Sequence, residues 1–566
     1  MDTATRRRGV FLTPLSFAEK ATQQVERLMG KHWWLSGNYR LWDMAAGTGN
    51  LELFLPKDSH QYCYLSTLEP EDVRHLKHEF RSATVFQYDY LEDESDKMPS
   101  TLRKDLADPK IRWIILVNPP YATAQEAGLK GTSKGGVSDT RIRKQMHTDR
   151  LGEVSRELYA QFLYRIMHEF QHRETLLGLF APIKYLVSTN YQKFRDRVFC
   201  ATFHSGFVFS SENFGGTSKT SHFPVAFILW EMPPREHGGF TEDTEHGKSP
   251  CPPCTLHALC GALPPQALQL DILDNTAQTI GVKNLVPENR DNFLSRWIKR
   301  PRGTSIFPPF GSALTIKASN IDTRNRIADG FLASLMCPGN ELQNQQQTAF
   351  LSGPQASAGA LSVTPENFEQ AVVVFAARRI PKDSWINHVD QLLRPNRELS
   401  PQFIADCAVW SLFDSKNQTV SMRNVRYQNR VYQVVNHFFP FPMEEVRSWF
   451  VKEERMEDAL CDTTHSFVAH WLSQKKFSAE ARTVLMGAKA IYQFYFANLH
   501  LLRRTAFKIE THDVGWYQIR QALLDAKLGA DMLTDFKLLH DRLKETLLPK
   551  LYDYGILHRT CHPSGG

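Results

Sequence analysis

The chain alternates between short, unbroken apolar runs and stretches with helical spacing, and that alternation predicts most of its first half. Ile114-Ile115-Leu116-Val117 is a run of branched or bulky apolar residues that stops abruptly at Asn118-Pro119-Pro120-Tyr121. It reads as a strand covered on both faces, and the two prolines end the ladder because neither carries a backbone N–H to donate. Comparable runs predict strands at Tyr39–Trp42, Tyr62–Leu68, Thr84–Tyr88 and Thr175–Pro182, and a pair at Phe207–Phe209 and Phe223–Trp230. Helical spacing is found instead at Leu15–Met29, where Phe17, Ala21, Val25 and Leu28 share a face and Pro14 opens the helix, and at Leu158–Met167. Strands interleaved with helices predict an α/β sheet.

The second half is patterned differently. Ala371–Ala377 reads as a strand, Val431-Tyr432 as another, and Pro440-Phe441-Pro442 as a corner, so a mixed α+β region is expected. From Ala479 to Leu551 the pattern is helical, with Ala488, Ile491, Phe494, Tyr495, Leu499 and Leu502 on one packing stripe. Residues 338–360 are small and polar and read as a loop. Between the halves, residues 232–266 carry Pro233-Pro234, Gly238-Gly239 and Pro264-Pro265, the composition of a linker. The predicted division is 1–232, a 233–266 linker, 267–475 and a helical 476–566.

At 566 residues the chain exceeds one ordinary core, and 42% hydrophobic with 23% charged residues is globular composition. A net charge of +6 permits a nucleic-acid partner without requiring one. No run spans a bilayer and no apolar segment follows Arg6-Arg7-Arg8, which predicts a cytoplasmic protein without a membrane partner. Nine scattered cysteines make no disulfide framework.

Candidate chemistry collects at the predicted strand ends, where open α/β sheets bind ligands. Asp43-Met44-Ala45-Ala46-Gly47-Thr48-Gly49 is a strand running into a Gly-x-Gly turn. It lacks the Gly-Lys-Ser/Thr of a phosphate loop and the third glycine of the dinucleotide fingerprint. An acid before the turn suits a ligand with an amino group and no pyrophosphate. Glu69 ends the second strand, placed for ribose hydroxyls, and Asp89-Tyr90 ends the third, a carboxylate and a ring for an adenine. Thr13, at the mouth of the first helix, can offer a hydroxyl to a carboxylate.

The order Phe11-Leu12-Thr13-Pro14, Asp43-x-x-x-Gly47-x-Gly49, Glu69, Asp89, Asn118-Pro119-Pro120-Tyr121 resembles the DNA adenine-N6 methyltransferases that use S-adenosylmethionine, in the permutation that places the cofactor half first and target recognition last. The resemblance is specific over about the first 230 residues, with Met44 where the family often has proline. It implies a Rossmann-like S-adenosylmethionine-dependent methyltransferase domain followed by a mixed α+β target-recognition region with a helical C-terminus. It also implies a cofactor site of Phe11, Thr13, Asp43, Ala45, Gly47, Gly49, Glu69, Asp89, Tyr90 and Asn118. The catalytic residues implied are Asn118, Pro119, Pro120 and Tyr121, with a base-stacking aromatic at the hairpin, Phe214 first and Phe223 second. Double-stranded DNA is the implied partner, with a separate restriction nuclease or other defence-system subunits as further partners. Alternatives within the same amide chemistry are an adenine-N6 methyltransferase acting on RNA and a glutamine-N5 methyltransferase acting on protein.

Three features stand outside that pattern. Gly128–Gly136 with Arg141, Arg143 and Lys144 is a glycine-rich basic stretch suited to a phosphate backbone. Arg296-Trp297-Ile298-Lys299-Arg300-Pro301-Arg302 is basic around an aromatic, as phosphate-contacting segments often are and as solvated helix ends also are. Cys251, Cys254, His257 and Cys260 have zinc-like spacing but lack a second ligand pair, so no metal site is expected.

Overall fold

The structure is a computed structural model that describes residues 12–121, 140–214, 222–234, 268–273, 279–282, 290–303, 305–306, 326–353, 359–382, 384–427, 430–449, 466–502, 511–558 and 561–563. They fall into two compact units, one of residues 1–286, 384–389 and 560–566, the other of 287–383 and 390–559.

The first unit is built on one sheet. Its strands are β1 (Tyr39–Asp43), β2 (Cys63–Thr67), β3 (Thr84–Gln87), β4 (Arg112–Val117), β5 (Thr175–Pro182), β6 (Thr202–Ser210), β7 (Pro224–Met232), β8 (Leu268–Ile272) and β9 (Thr279–Val282). From one edge the order is β3-β2-β1-β4-β5-β7-β6-β8-β9, then a last strand, Cys561–Pro563. β3 through β5 are parallel, and β7 lies antiparallel between β5 and β6. The helices are α1 (Leu15–Met29), α2 (Pro70–Glu79), α3 (Ser100–Ala107), α4 (Arg141–Thr148), α5 (Leu158–Glu169) and α6 (Gln192–Arg197). Two apolar clusters back the sheet, one containing Phe17, Ala18, Ala21 and Val25 of α1, the other Leu158 to Met167 of α5. This is an open, Rossmann-like α/β arrangement, and the predicted strands and helices of residues 15–232 all form. Strand order reverses between β2-β1 and β4, which opens a crevice above their C-terminal ends.

The boundary after residue 232 does not coincide with the compact units. β8 and β9 continue the first sheet, and Trp385, Ile386 and Val389 pack on the core containing α5. Residues 235–266 of the expected linker lie outside the described residues, and composition carries no information about which core the following strand joins.

The second unit is a helical layer on a small sheet. Its main helices are α7 (Phe368–Arg379), α8 (Pro401–Phe413), α9 (Ala479–Ala497), α10 (Trp516–Asp525) and α11 (Ala530–Asp553). The sheet holds β10 (Ala333–Met336), β11 (Ala349–Leu351), β12 (Ala360–Val363) and β13 (Asn417–Gln418) in the order β12-β10-β11-β13. β14 (Met422–Tyr427) and β15 (Arg430–Val434) form a separate hairpin. All the helices share one core, and Ala488, Ile491, Tyr495, Leu499 and Leu502 are buried in it, as their spacing predicts. Two readings are corrected. Ala371–Ala377 lies in helix α7 rather than a strand, because a helix buried nearly all round has no polar face to reveal its period. Residues 338–360 include a 3-10 turn at Leu342–Gln347 and β11, so they are not simply a loop.

Candidate functional site

Four predicted strand ends converge on the crevice of the first unit. Asp43 is the last residue of β1, Glu69 follows β2 and caps α2, Asp89 follows β3, and Asn118 follows β4.

The turn after β1 is fixed by its acid and its glycines. Asp43 Oδ1 accepts from Ala45 N at 2.7 Å, and Ala46 N donates to Ser66 O at 3.0 Å, tying the turn to β2. Gly47 and Gly49 both have left-handed backbone, φ 52° and 82°. A Cβ on Gly49 would meet the Phe80 ring at 2.5 Å and Leu76 at 2.7 Å, so this glycine also lets the turn sit against α2. A Cβ on Gly47 would meet nothing closer than 3.9 Å.

Beneath the turn lies a second acid that the motif did not flag. Glu52 is fully buried, and neither of its oxygens is placed for a hydrogen bond of ordinary geometry. It lies beside Asp43, and desolvation together with that neighbouring charge holds its carboxyl well above the usual range. Desolvation pushes Asp43 up to about 7. The available signal was one carboxylate inside the apolar run Leu51-Glu52-Leu53-Phe54-Leu55.

The corner after β4 is joined to the start of α1. Asn118 Nδ2 donates to Thr13 Oγ at 2.8 Å, and Tyr121 Oη donates to Asn118 Oδ1 at 2.7 Å. Thr13 and Pro119 are buried, while Asn118, Pro120 and Tyr121 are partly exposed. Burial holds the Tyr121 phenol well above its ordinary pKa, so it stays a neutral donor. Thr13 O in turn accepts from Asn50 Nδ2 at 2.8 Å, and Asn50 Oδ1 accepts from Thr48 Oγ at 3.1 Å.

The remaining predicted residues divide. Asp89 Oδ1 caps its own turn, accepting from Leu91 N at 2.9 Å and Glu92 N at 3.2 Å. Tyr90 is not brought to the crevice. Its ring is buried among Trp42 and Phe162 under the Arg165 guanidinium, and its hydroxyl donates to Glu169 at 2.8 Å. A residue after a strand end alternates faces, and Tyr90 takes the inward one. Phe214 was expected as an exposed ring, but it is 1% exposed. It packs on Phe209 with centroids 5.4 Å apart and meets Tyr121 edge-on at 5.9 Å. Phe223 is only partly buried against the same core. Phe11, Gly128–Gly136 and the Cys251–Cys260 cluster lie outside the described residues. Among those described, no group of His, Cys, Asp or Glu could hold a metal ion, and no helix is long and apolar enough to cross a membrane.

Strand order and the parallel strands that end at the Gly-x-Gly turn and the amide corner define a Rossmann-like α/β fold. No family model matches the chain, and no curated protein does. Similar solved structures include the DrdV–DNA complex, at 16% identity over 41% of this chain and 27% of that one with TM-score 0.32. The ATP-dependent Type ISP restriction-modification enzyme LlaBIII bound to DNA matches at 12% identity over 40% and 19%, TM-score 0.28. The M protein of the Type I restriction enzyme EcoKI matches at 12% identity over 46% and 48%, TM-score 0.25. The chain thus spans less than half the length of each of these three proteins.

Proposed function

We propose that the protein is an S-adenosylmethionine-dependent methyltransferase that modifies the N6 amino group of adenine in double-stranded DNA. The observation that carries the reading is the buried Asp43–Glu52 acid pair beneath a Gly-x-Gly turn, in the same crevice as an Asn-Pro-Pro-Tyr corner. The residues fit the cofactor chemically. Glu52 is a buried carboxyl beside Asp43 with no hydrogen bond of ordinary geometry among the described residues, and the ammonium group of a sulfonium nucleoside would replace the protons that such a pair holds. Asp43 with Ala45, Gly47 and Gly49 would hold the methionine part, Glu69 the ribose hydroxyls and Asp89 the adenine amine. Bound there, S-adenosylmethionine supplies an electrophilic methyl group.

The chain's own residues do the rest. Asn118 Oδ1 and the Pro119 carbonyl accept the two N–H groups of a planar amine, which draws its lone pair out of the ring and toward the crevice. The two prolines fix that corner, so positioning supplies most of the rate. The target base must leave the duplex to reach it. Tyr121 and Phe214 meet edge-on at 5.9 Å, and a base stacked between parallel rings needs them about 7 Å apart, twice an aromatic contact distance. The pair therefore has to part before both rings can stack.

Duplex contact is assigned to the second unit. Arg296, Arg300 and Arg302 are exposed, and their segment is pinned to the first turn of α7 by Lys299 N to Gln370 Oε1 and by Asn367 Nδ2 to Lys299 O, both 2.9 Å. The deciding experiment is sequencing of DNA from expressing cells with a method that reports N6-methyladenine in context. Methyladenine at one recurrent site is expected. Methyl transfer to protein or RNA alone, in an assay with labelled cofactor, would replace this reading with one of the alternatives.

A further inference from the structure

The sequence gives Thr13 one duty, toward the methionine carboxylate, but the structure gives its side chain another. An asparagine amide is nearly symmetric in shape, so its partners decide which edge faces a substrate. In this protein the Nδ2 edge of Asn118 is taken by the buried Thr13 hydroxyl, and the Oδ1 edge faces the other way, where the neutral Tyr121 phenol donates to it. The phenol marks the donor position in front of Oδ1 that an amine N–H would occupy. Thr13 also reaches in the opposite direction. Its carbonyl accepts from Asn50, and Asn50 accepts from Thr48, which stands between Gly47 and Gly49. Three hydrogen bonds of 2.8 to 3.1 Å thus link the Gly-x-Gly turn to the acceptor amide by way of the Thr13 carbonyl and hydroxyl, and a fourth of 2.7 Å continues to Tyr121.

We infer that Thr13 is a positioning residue that orients the Asn118 amide and couples it to the turn, so that a ligand on the turn improves capture of the base. The inference rests on the methyltransferase reading of the same crevice. An ordinary structural duty, starting α1, is separable from it: the helix opens on Pro14 carbonyl bonds to Phe17 and Ala18, which a valine at position 13 leaves in place.

The test compares Thr13→Val, which keeps the branched shape and removes the hydroxyl, with Thr13→Ser, which keeps the hydroxyl. Each full-length variant is measured with sinefungin as cofactor probe and with a duplex carrying the site that methyladenine sequencing identifies. Thr13→Val is expected to lower kcat about 10- to 100-fold while sinefungin affinity changes less than about threefold. Sinefungin should tighten duplex binding by about fivefold or more in the wild type and Thr13→Ser, and by less than about twofold in Thr13→Val. Equal loss in both variants, or a Thr13→Val enzyme that keeps rate and coupling, overturns the positioning role. Wild-type protein that binds sinefungin, methylates the duplex and shows no coupling overturns the link to the turn alone. Wild-type protein that neither binds sinefungin nor methylates overturns the function and this role with it.

Discussion

The buried acid pair under the Gly-x-Gly turn makes a quantitative demand on stability. Asp43 titrates near 3.8 when exposed and near 7 when folded, because desolvation disfavours its charge. A carboxyl raised in this way contributes stability that is complete below its unfolded pKa and is lost as pH climbs through the folded one. The unfolded chain gains more from ionising this group at pH 8 than at pH 5, so the wild type loses on the order of 2–3 kcal/mol between the two. Glu52 is raised as well and acts in the same direction. The double variant Asp43→Asn, Glu52→Gln has nothing to titrate there. Its stability relative to wild type should therefore improve by about 2–3 kcal/mol or more from pH 5 to pH 8. Pulse proteolysis in increasing urea at both pH values, with fragments of the first unit identified by mass spectrometry, measures that difference directly. All other titrating groups are common to both proteins and cancel. A gap that stays constant to within about 0.5 kcal/mol would show that the pair is not holding protons in the folded state and would remove the electrostatic argument for a cationic ligand.

Other expectations are more direct. Sinefungin, which carries the ammonium group of the cofactor, should bind more tightly at pH 8 than at pH 5 and release a proton on binding, visible as a buffer-dependent heat in calorimetry. Asn118→Ala and Tyr121→Ala should abolish methylation while sinefungin affinity persists, and a matching loss of affinity in both would reject that division of labour. Gly49→Ala should cost about 2–4 kcal/mol, from left-handed strain plus collision with Phe80, whereas Gly47→Ala should cost only about 1–2 kcal/mol, as equilibrium denaturation would show. Replacing Arg300 and Arg302 with glutamine should lower the salt-dependence slope of duplex binding by about 2 and leave sinefungin binding unchanged.

How far the sequence could be read followed from what each physical signal reports. Strand and helix positions in residues 15–232 were legible because each element buries one defined surface and carries the corresponding period. Asp43, Glu69, Asp89 and Asn118 were legible as strand-end residues because the C-terminal ends of parallel strands lie on one side of a sheet. The direction of a side chain just past a strand was not legible, which is why Tyr90 and Phe214 came out differently. One ring turns inward beneath Arg165, and the other is drawn from a hairpin loop into the apolar cluster around Phe209. In α7 the difficulty was the opposite. Its residues are buried almost all round, so the run Ala371–Ala377 had no polar interruption to betray a helix.

The side chains that matter most to the proposed chemistry are also those that no local pattern predicts. Asn50, Thr13 and Asn118 are far apart in the chain, and only the sheet brings them within hydrogen-bonding distance. Their arrangement is satisfied without any ligand: Thr13 takes one edge of the amide and Tyr121 the other. That suits a half-buried polar corner, since a fully buried, unpartnered amide would cost about 1–3 kcal/mol. The same bonds set the condition for function. An amine that displaces the Tyr121 hydroxyl exchanges one donor for another at Asn118 Oδ1, so capture of the base is nearly neutral in hydrogen-bond count and selectivity must come from shape and stacking. The Asp43–Glu52 pair is different in kind: Ala45 N is the one partner of ordinary geometry that the described residues give it, and burial beside each other leaves both carboxyls holding protons more tightly than exposed acids do. In the proposed chemistry the acceptor corner therefore exchanges one donor for another, whereas the acid pair exchanges its protons for the positive charge of the ligand.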